Sequence, residues 1–377
     1  MFDVAVIGLG AMGASTAWHL ASRDIRVLGI DQFTPPHTMG SSHGLSRAIR
    51  TAYFEDPCYV PLVQAATAEW RRLEQETGTG LLDMTGVLLM GPAQGELIAG
   101  AQRSCKAHGL RHDMISRNDI MQRWPVFQPA QGDVGLYETD GGYLRPEAAI
   151  SAFLQAARSN GAELRCAEPV LAVAPGADSV TVTTGQGIYQ ARRAIIAAGA
   201  WAGRFVPELA ATARTTRQVL AWFAPVDAAA VTRERLPVFA ADTPGGAFYG
   251  FPMLDEQGVK IAKHGHQGEI IDPAAPRRGG DGADEAILRV FAERYMPGVL
   301  GPLRKMATCI YTELPQDFFL LDRLPGAANV TIVSACSGHG FKFASIIGKI
   351  AADLALEGRT DFNIAPFSFE ALADRRW

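Results

Sequence analysis

The sequence predicts an α/β fold in two parts: a parallel sheet assembled from discontinuous segments, and an antiparallel β-sheet-based (α+β) domain inserted between them. Three observations predict it. Short apolar runs, of the kind buried on both faces of a sheet, stand far apart in the chain at 4–7 and 194–198, and a further buried strand is read at 329–336. The stretch between 218 and 264 reads instead as several strands joined by turns, the pattern of an antiparallel sheet. A chain of 377 residues is also long for one small core and suits two intimate domains.

In order, the chain opens with a strand at 4–7, a tight glycine turn, a helix at 14–22 and a strand at 26–31 that ends in an acid. Residues 35–44 form a long loop by their Pro, Gly and Ser content. A helix follows at 59–75. Strand-like runs lie near 82–98 and 132–145, separated by a helical stretch at 96–108. Next come a helix at 146–160 and strands at 162–166, 170–173, 179–184 and 190–198. Beyond the antiparallel region, a helix is expected at 284–295 and a strand at 329–336. That strand enters the loop Ser337-Gly338-His339-Gly340 and then a helix at 343–356. The parallel domain is accordingly drawn as 1–82, 146–217 and 315–377, and the antiparallel one as 83–145 and 218–314.

Composition narrows the function. A net charge of −4 argues against a general nucleic-acid or membrane-surface role. No uncharged apolar run approaches the roughly 18 residues of a membrane span. The N-terminus enters a strand pattern directly, without the features of a signal peptide, so a cytoplasmic protein is expected. The five cysteines are scattered and form no CxxC pair, which indicates neither a disulfide framework nor a zinc site. His264 and His266 could share a metal on a strand, but no third ligand accompanies them, and no metal is expected.

Gly8-Leu9-Gly10-Ala11-Met12-Gly13 is a GxGxxG turn between a strand and a helix. Gly8 permits the turn, Gly10 lets backbone approach a pyrophosphate, and Gly13 allows close helix–strand packing, while the helix N-terminus faces the phosphates. Asp31 ends the second strand, where it can accept from a ribose hydroxyl. The chain then leaves the βα pattern for a polar loop, and the sheet is completed by distant segments. This favours FAD over NAD and makes the α/β part a Rossmann-like FAD-binding domain.

Further motifs follow: Pro35-Pro36-His37, Gly40-Ser41-Ser42-His43-Gly44, Arg47-Ala48-Ile49-Arg50, Ala198-Gly199-Ala200-Trp201, Tyr249-Gly250-Phe251-Pro252, Cys309-Ile310-Tyr311-Thr312 and Ser337-Gly338-His339-Gly340-Phe341-Lys342-Phe343. Together, and nearly end to end, the chain resembles the monomeric sarcosine oxidase and N-methyltryptophan oxidase family of D-amino-acid-oxidase-like flavoproteins. The resemblance implies oxidation of an N-methyl or cyclic secondary amino acid to an imine, with electrons passed to O₂ to give H₂O₂. It implies FAD joined covalently through Cys309 to the flavin 8-methyl carbon. It also implies that Arg50 and Lys342 hold the substrate carboxylate, with Tyr249 beside them. Lys260 would act in oxygen activation near flavin N5, with Arg47, His264 and Tyr311 completing the catalytic set. Besides the turn and Asp31, the cofactor would be held by Ser42, His43, Arg47, Val170, Gly199, Trp201, Gly338, Gly340, Phe341 and Lys342. A small amine and O₂ are the implied partners, and the protein would be a monomer.

The family loop Ser-His-His-Gly-Asp-Thr-Arg is altered here: Ser42, Leu45 and Ser46 replace its first His, its Asp and its Thr. Phe248 stands beside Tyr249 where relatives often carry two tyrosines. These departures alter the polarity of the pocket, and the expected substrate is sarcosine, N-methyltryptophan or a related amine.

Taken alone, several of these residues have plainer readings. Arg47 and Arg50 share a face on a helical turn and diverge on a strand. Lys260, in the alternating Val259-Lys260-Ile261, would by pattern sit on the exposed face of a strand. Lys342 between two phenylalanines could snorkel. A free cysteine is usually a small buried hydrophobe. Two rivals follow from the same motifs: a flavin dehydrogenase or deaminating oxidase of primary amino acids, and a flavin-binding protein without turnover.

Overall fold

The computed structural model describes residues 1–275 and 278–377. The first sheet runs Glu163–Arg165, Val27–Ile30, Phe2–Ile7, Ile188–Ile196, Ala327–Ser334, Leu320–Leu324. The first five are parallel and the last is antiparallel. The early part of Ile188–Ile196 also pairs with Val180–Thr184, which pairs in turn with Val170–Pro175, both antiparallel.

The apolar runs are unbroken because both faces are covered. Val4 and Val6 enter a core with the helices Ala11–Ala21, Val60–Thr77, Pro146–Ser159 and Ala344–Glu357, while Ala5 and Ile7 enter a separate core on the opposite face. The helices Ala11–Ala21 and Ala344–Glu357 pack tightly: a Cβ on Gly348 would lie 2.2 Å from Ser15 Oγ.

The second sheet is ordered Leu300–Glu313, Arg214–Pro225, Val259–Lys263, Gly246–Phe251, Val238–Thr243, Val87–Pro92, Asp133–Glu138, Asp113–Ser116. Its neighbours are antiparallel except for Val238–Thr243 with Val87–Pro92. The helix Gly282–Tyr295 covers one face, with Phe248 stacked on Phe291 at 4.5 Å. Buried Arg217 reaches from the sheet to Asp284 on this helix, Nη2 to Oδ2 at 2.6 Å and Nη1 to Oδ1 at 3.2 Å. A small third sheet joins Arg47–Ile49, Gly142–Leu144 and Leu82–Asp83.

Some elements differ from the sequence expectation. The first helix starts at Ala11, directly inside the glycine turn. The segment expected as strand near 82–98 breaks into Leu82–Asp83 and Val87–Pro92. The strand Leu320–Leu324 and the helix Arg117–Arg123 were not expected, although Ser116 and Asp119 form a capping box that marks the helix start.

Candidate active site

A cavity of about 520 Å³ lies at the C-terminal ends of the parallel strands, where Ile7, Ile30, Ala197 and Ser334 reach it. This is where open α/β sheets take ligands. It continues against the second sheet, which contributes Tyr249, His264, Cys309 and Tyr311.

At the turn, Gly8 has φ +93, and a Cβ there would fall 2.5 Å from the Ala197 carbonyl oxygen. A Cβ on Gly13 would fall 1.8 Å from Gly8 O, whereas one on Gly10 would meet nothing within 4 Å. Gly8 and Gly13 are thus fixed by packing, and Gly10 leaves backbone open to the cavity, the arrangement a pyrophosphate needs. Ala11 and Met12 line the same wall. Asp31 accepts the N–H groups of Leu9 and Phe33, each at 2.7 Å. Burial raises its pKa, and its carboxylate keeps further lone pairs towards the cavity. Val170, Gly199, Trp201 and Ser42 complete this end. These groups fit FAD: an open glycine backbone at a helix N-terminus, and a buried acceptor at the end of the second strand.

Arg47 lies on a strand and Arg50 just beyond it, so their side chains diverge. Arg47 donates to the carbonyls of Ser46 (2.9 Å) and Ser41 (2.8 Å), and its Nη2 lies 3.5 Å from Cys309 Sγ. Cys309 is buried in the long strand Leu300–Glu313 and faces the cavity. Leu45, with φ +68, packs on Leu220, Trp222 and Cys309. The preceding loop is clamped by Glu147, which accepts Gly44 N–H at 2.6 Å and Leu45 N–H at 3.2 Å.

Lys260 does not line the cavity. It is only 2% exposed, and its ammonium donates to Gly44 O (2.8 Å), Ser46 O (2.9 Å) and Ser46 Oγ (3.2 Å). Its strand is interior to the sheet and roofed by this loop, so the exposed-face pattern does not apply. Burial, then Arg47, holds its pKa well below the usual lysine range. Gly13 and His43 likewise lie outside the lining, and His43 is buried.

At the far end, Arg50 is stacked on Tyr53 and Phe54, each ring 4.3 Å away, and its Nη2 donates to both oxygens of Glu55 at 2.6 and 2.7 Å. Burial opposes the Glu55 charge, but Arg50, with His339 and Lys342, outweighs it and holds the carboxyl near 2. Lys342 donates to His339 O at 2.6 Å and lies 3.4 Å from the Tyr53 hydroxyl. Burial and then Arg50 bring its ammonium down to about 7. Burial also holds His339 at about 3. Its neutral ring can then donate from Nε2 to Asp317 O at 2.8 Å and accept the Tyr53 hydroxyl at Nδ1. Gly338, Gly340 and Phe341 line the cavity beside it. His264, its pKa lowered chiefly by burial, sits 3.5 Å from the Tyr311 hydroxyl.

One cavity therefore gathers all the expected site residues except Gly13, His43 and Lys260. Sequence reasoning missed Tyr53, Glu55 and Asp317, which also bear on it. They lie in or beside loops without periodicity, and no local signal marks them.

A family model described as FAD dependent oxidoreductase matches residues 3–354. Monomeric sarcosine oxidase of Streptomyces avermitilis is 37% identical over 377 residues, covering 99% of this chain and 98% of that protein. N-methyl-L-tryptophan oxidase of Salmonella arizonae is 36% identical over 369 residues, covering 97% and 98%. Among solved structures, the open form of NikD, an unusual amino acid oxidase essential for nikkomycin biosynthesis, is similar with a TM-score of 0.83. It is 25% identical and covers 97% of each chain.

Proposed function

Since the chain belongs to the FAD-dependent oxidoreductases, in the branch of monomeric sarcosine oxidase and N-methyl-L-tryptophan oxidase, we propose that it is an amine oxidase acting on the C–N bond of a secondary amino acid. N-methyl and cyclic amino acids are the substrate class. The products are an imine, which water hydrolyses, and H₂O₂ from O₂. The observation that carries this reading is the pair of cations, Arg50 and Lys342, on the same cavity as the open Gly10 turn.

When bound, FAD supplies the two-electron acceptor for the hydride leaving the carbon next to nitrogen. Gly10, Ala11 and Asp31 would hold its nucleotide end, and Cys309 would carry it covalently. The cysteine's place on the cavity wall supports this, with the Arg47 guanidinium 3.5 Å from Sγ.

The chain's own task is orientation. The substrate carboxylate takes the place of Glu55 on Arg50 and adds Lys342 as a second donor, a charge-assisted pairing that fixes the amino acid by one end. The amine must be neutral to lose hydride. Two cations nearby disfavour a further positive charge, and neutral His264 and the Tyr311 hydroxyl present hydrogen-bonding groups rather than charge. No protein base at the C–H bond is required. Lys260 would stabilise negative charge developing on O₂ from behind the Gly44–Ser46 backbone.

The enzyme would act as a monomer in the cytoplasm. Five free cysteines suit a reducing compartment, and among the described residues no helix is long and apolar enough to cross a membrane. The test is an anaerobic screen of secondary and primary amino acids, read as loss of flavin colour, followed by H₂O₂ assay in air. Bleaching by primary amino acids alone would replace the reading with a deaminating oxidase.

A further inference from the structure

A second cavity of about 240 Å³ lies directly behind the first. Its inner wall is made by Gly199, Ala200, Thr312 and Ser334, and the same four residues line the main cavity. The partition is therefore one residue thick and built from small side chains. Thr312 is buried, yet its hydroxyl has no hydrogen-bond partner among the described residues. Nothing pins that side chain by a polar bond, so it can change rotamer without breaking one.

The outer rim differs in character from the amino-acid site. Ala210, Ala213, Ile270, Ile271 and Pro273 form it, and Ile270 is 65% exposed, so the cavity opens to solvent through an apolar mouth. Among the described residues Arg214 is the one charged residue in its lining, and its guanidinium lies under the Trp377 ring at 3.9 Å. A zwitterionic amino acid finds no paired set of charges here. A small uncharged molecule needs no such charges and can pass a mouth formed mainly by apolar side chains.

We propose that this second cavity is the route by which O₂ reaches the buried site. The inference rests on the reading of the protein as an O₂-using oxidase. It assigns Thr312 and its small neighbours as the gate and Ala210 and Ile270 as the rim.

The test uses the flavin-loaded enzyme and two substitutions at exposed rim positions, Ala210→Trp and Ile270→Trp, so that a folding failure in one leaves the other. Crystals of the parent under xenon pressure are expected to show xenon in the second cavity, and Ala210→Trp crystals to show none. In stopped flow, oxidation of the substrate-reduced enzyme by O₂ is expected to slow about tenfold in each variant. Anaerobic reduction by substrate should be unchanged, as should oxidation by a dye too bulky for this cavity. Parental O₂ rates in both variants would overturn the proposal, as would a parent cavity empty of xenon. Equal slowing with the dye would also overturn it, by showing that the main site is disturbed. If the parent passes no electrons to O₂ at all, the oxidase reading fails first and the route falls with it.

Discussion

Arg50 and Glu55 are joined through a single guanidinium nitrogen, Nη2 lying 2.6 and 2.7 Å from the two carboxylate oxygens at the wall of the cavity. The protein thus places its own carboxylate on the cation that a substrate carboxylate would use.

Removing that internal competitor should tighten ligand binding. In Glu55→Gln, Arg50 keeps a neutral partner and gives it up more readily. A carboxylate inhibitor is expected to bind about threefold to tenfold more tightly, or up to about 1.4 kcal/mol. Arg50→Ala should do the reverse, weakening the inhibitor by about 2–5 kcal/mol. Titration of flavin absorbance with inhibitor reads both. Weaker binding in Glu55→Gln would mean that Glu55 orients Arg50 rather than competing for it.

Lys342 should set a pH limb on binding. Its ammonium titrates near 7 in the free site, and the charged form binds a carboxylate better, so affinity should fall as pH rises through about 7. Lys342→Met should lose this limb and bind weakly at every pH. For stability the sign is opposite. Between about 7 and the ordinary lysine value of 10.5 the unfolded chain holds a proton that the folded chain has released. Lys342 therefore makes the fold more stable as pH rises across that window, and Lys342→Met flattens the dependence. Inhibitor Kd and urea midpoints against pH check the two halves separately.

Cys309 should carry the colour. Acid-precipitated parent protein is expected to stay yellow, and Cys309→Ser to release its flavin into the supernatant. A colourless parent pellet would rule out covalent attachment.

Lys260 should divide the two half-reactions. In the proposed reaction, electron transfer to O₂ would develop negative charge near the Arg47 loop, which Lys260, held on Gly44 O and Ser46 O, would stabilise from behind. Lys260→Met is expected to slow this step by orders of magnitude, each factor of ten being about 1.4 kcal/mol, and to affect anaerobic reduction far less. Because the lysine also ties the loop, Lys260→Met should lower the melting temperature. Stopped flow and calorimetry measure these independently. Reoxidation at the parental rate would leave Lys260 as a structural tie alone.

The pair Arg217–Asp284 is buried on both sides. Asp284 also meets His266 at 2.8 Å and Arg217 also reaches Glu269 at 3.5 Å, so losing one partner leaves a weakened network, and Asp284→Asn and Arg217→Met should each cost up to about 3 kcal/mol by denaturant unfolding. Joint replacement by apolar residues should cost less than either change alone.

Much of this was legible in the sequence where local sterics decide. Gly8 and Gly13 are dictated by contacts within their own turn and with the adjoining strand, and the sheet's apolar runs announce their double burial. Lys260 was less legible, because alternation along Val259–Lys263 signals a strand but not that its second face is roofed by residues more than two hundred positions away. The first half of Leu300–Glu313 was hidden because its side chains are mostly half-buried or exposed, which blurs the alternation. Glu55 was silent for a different reason: its charge is defined by Arg50, and a pair formed across a loop leaves no period to read.

The interleaving of the first sheet also governs how the protein comes into being. Phe2–Ile7, the strand that carries the glycine turn, hydrogen-bonds to Ile188–Ile196, and that strand is closed on its other side by Ala327–Ser334. A chain emerging from the ribosome cannot complete the cradle until nearly nine-tenths of it has been made. Phe2–Ile7 keeps one flank unpaired until Ile188–Ile196 is made, and Ile188–Ile196 then keeps one flank unpaired until Ala327–Ser334 follows, each in turn a template for wrong pairing. Cofactor capture is therefore expected late in biogenesis, after the last strand of the cradle has been made.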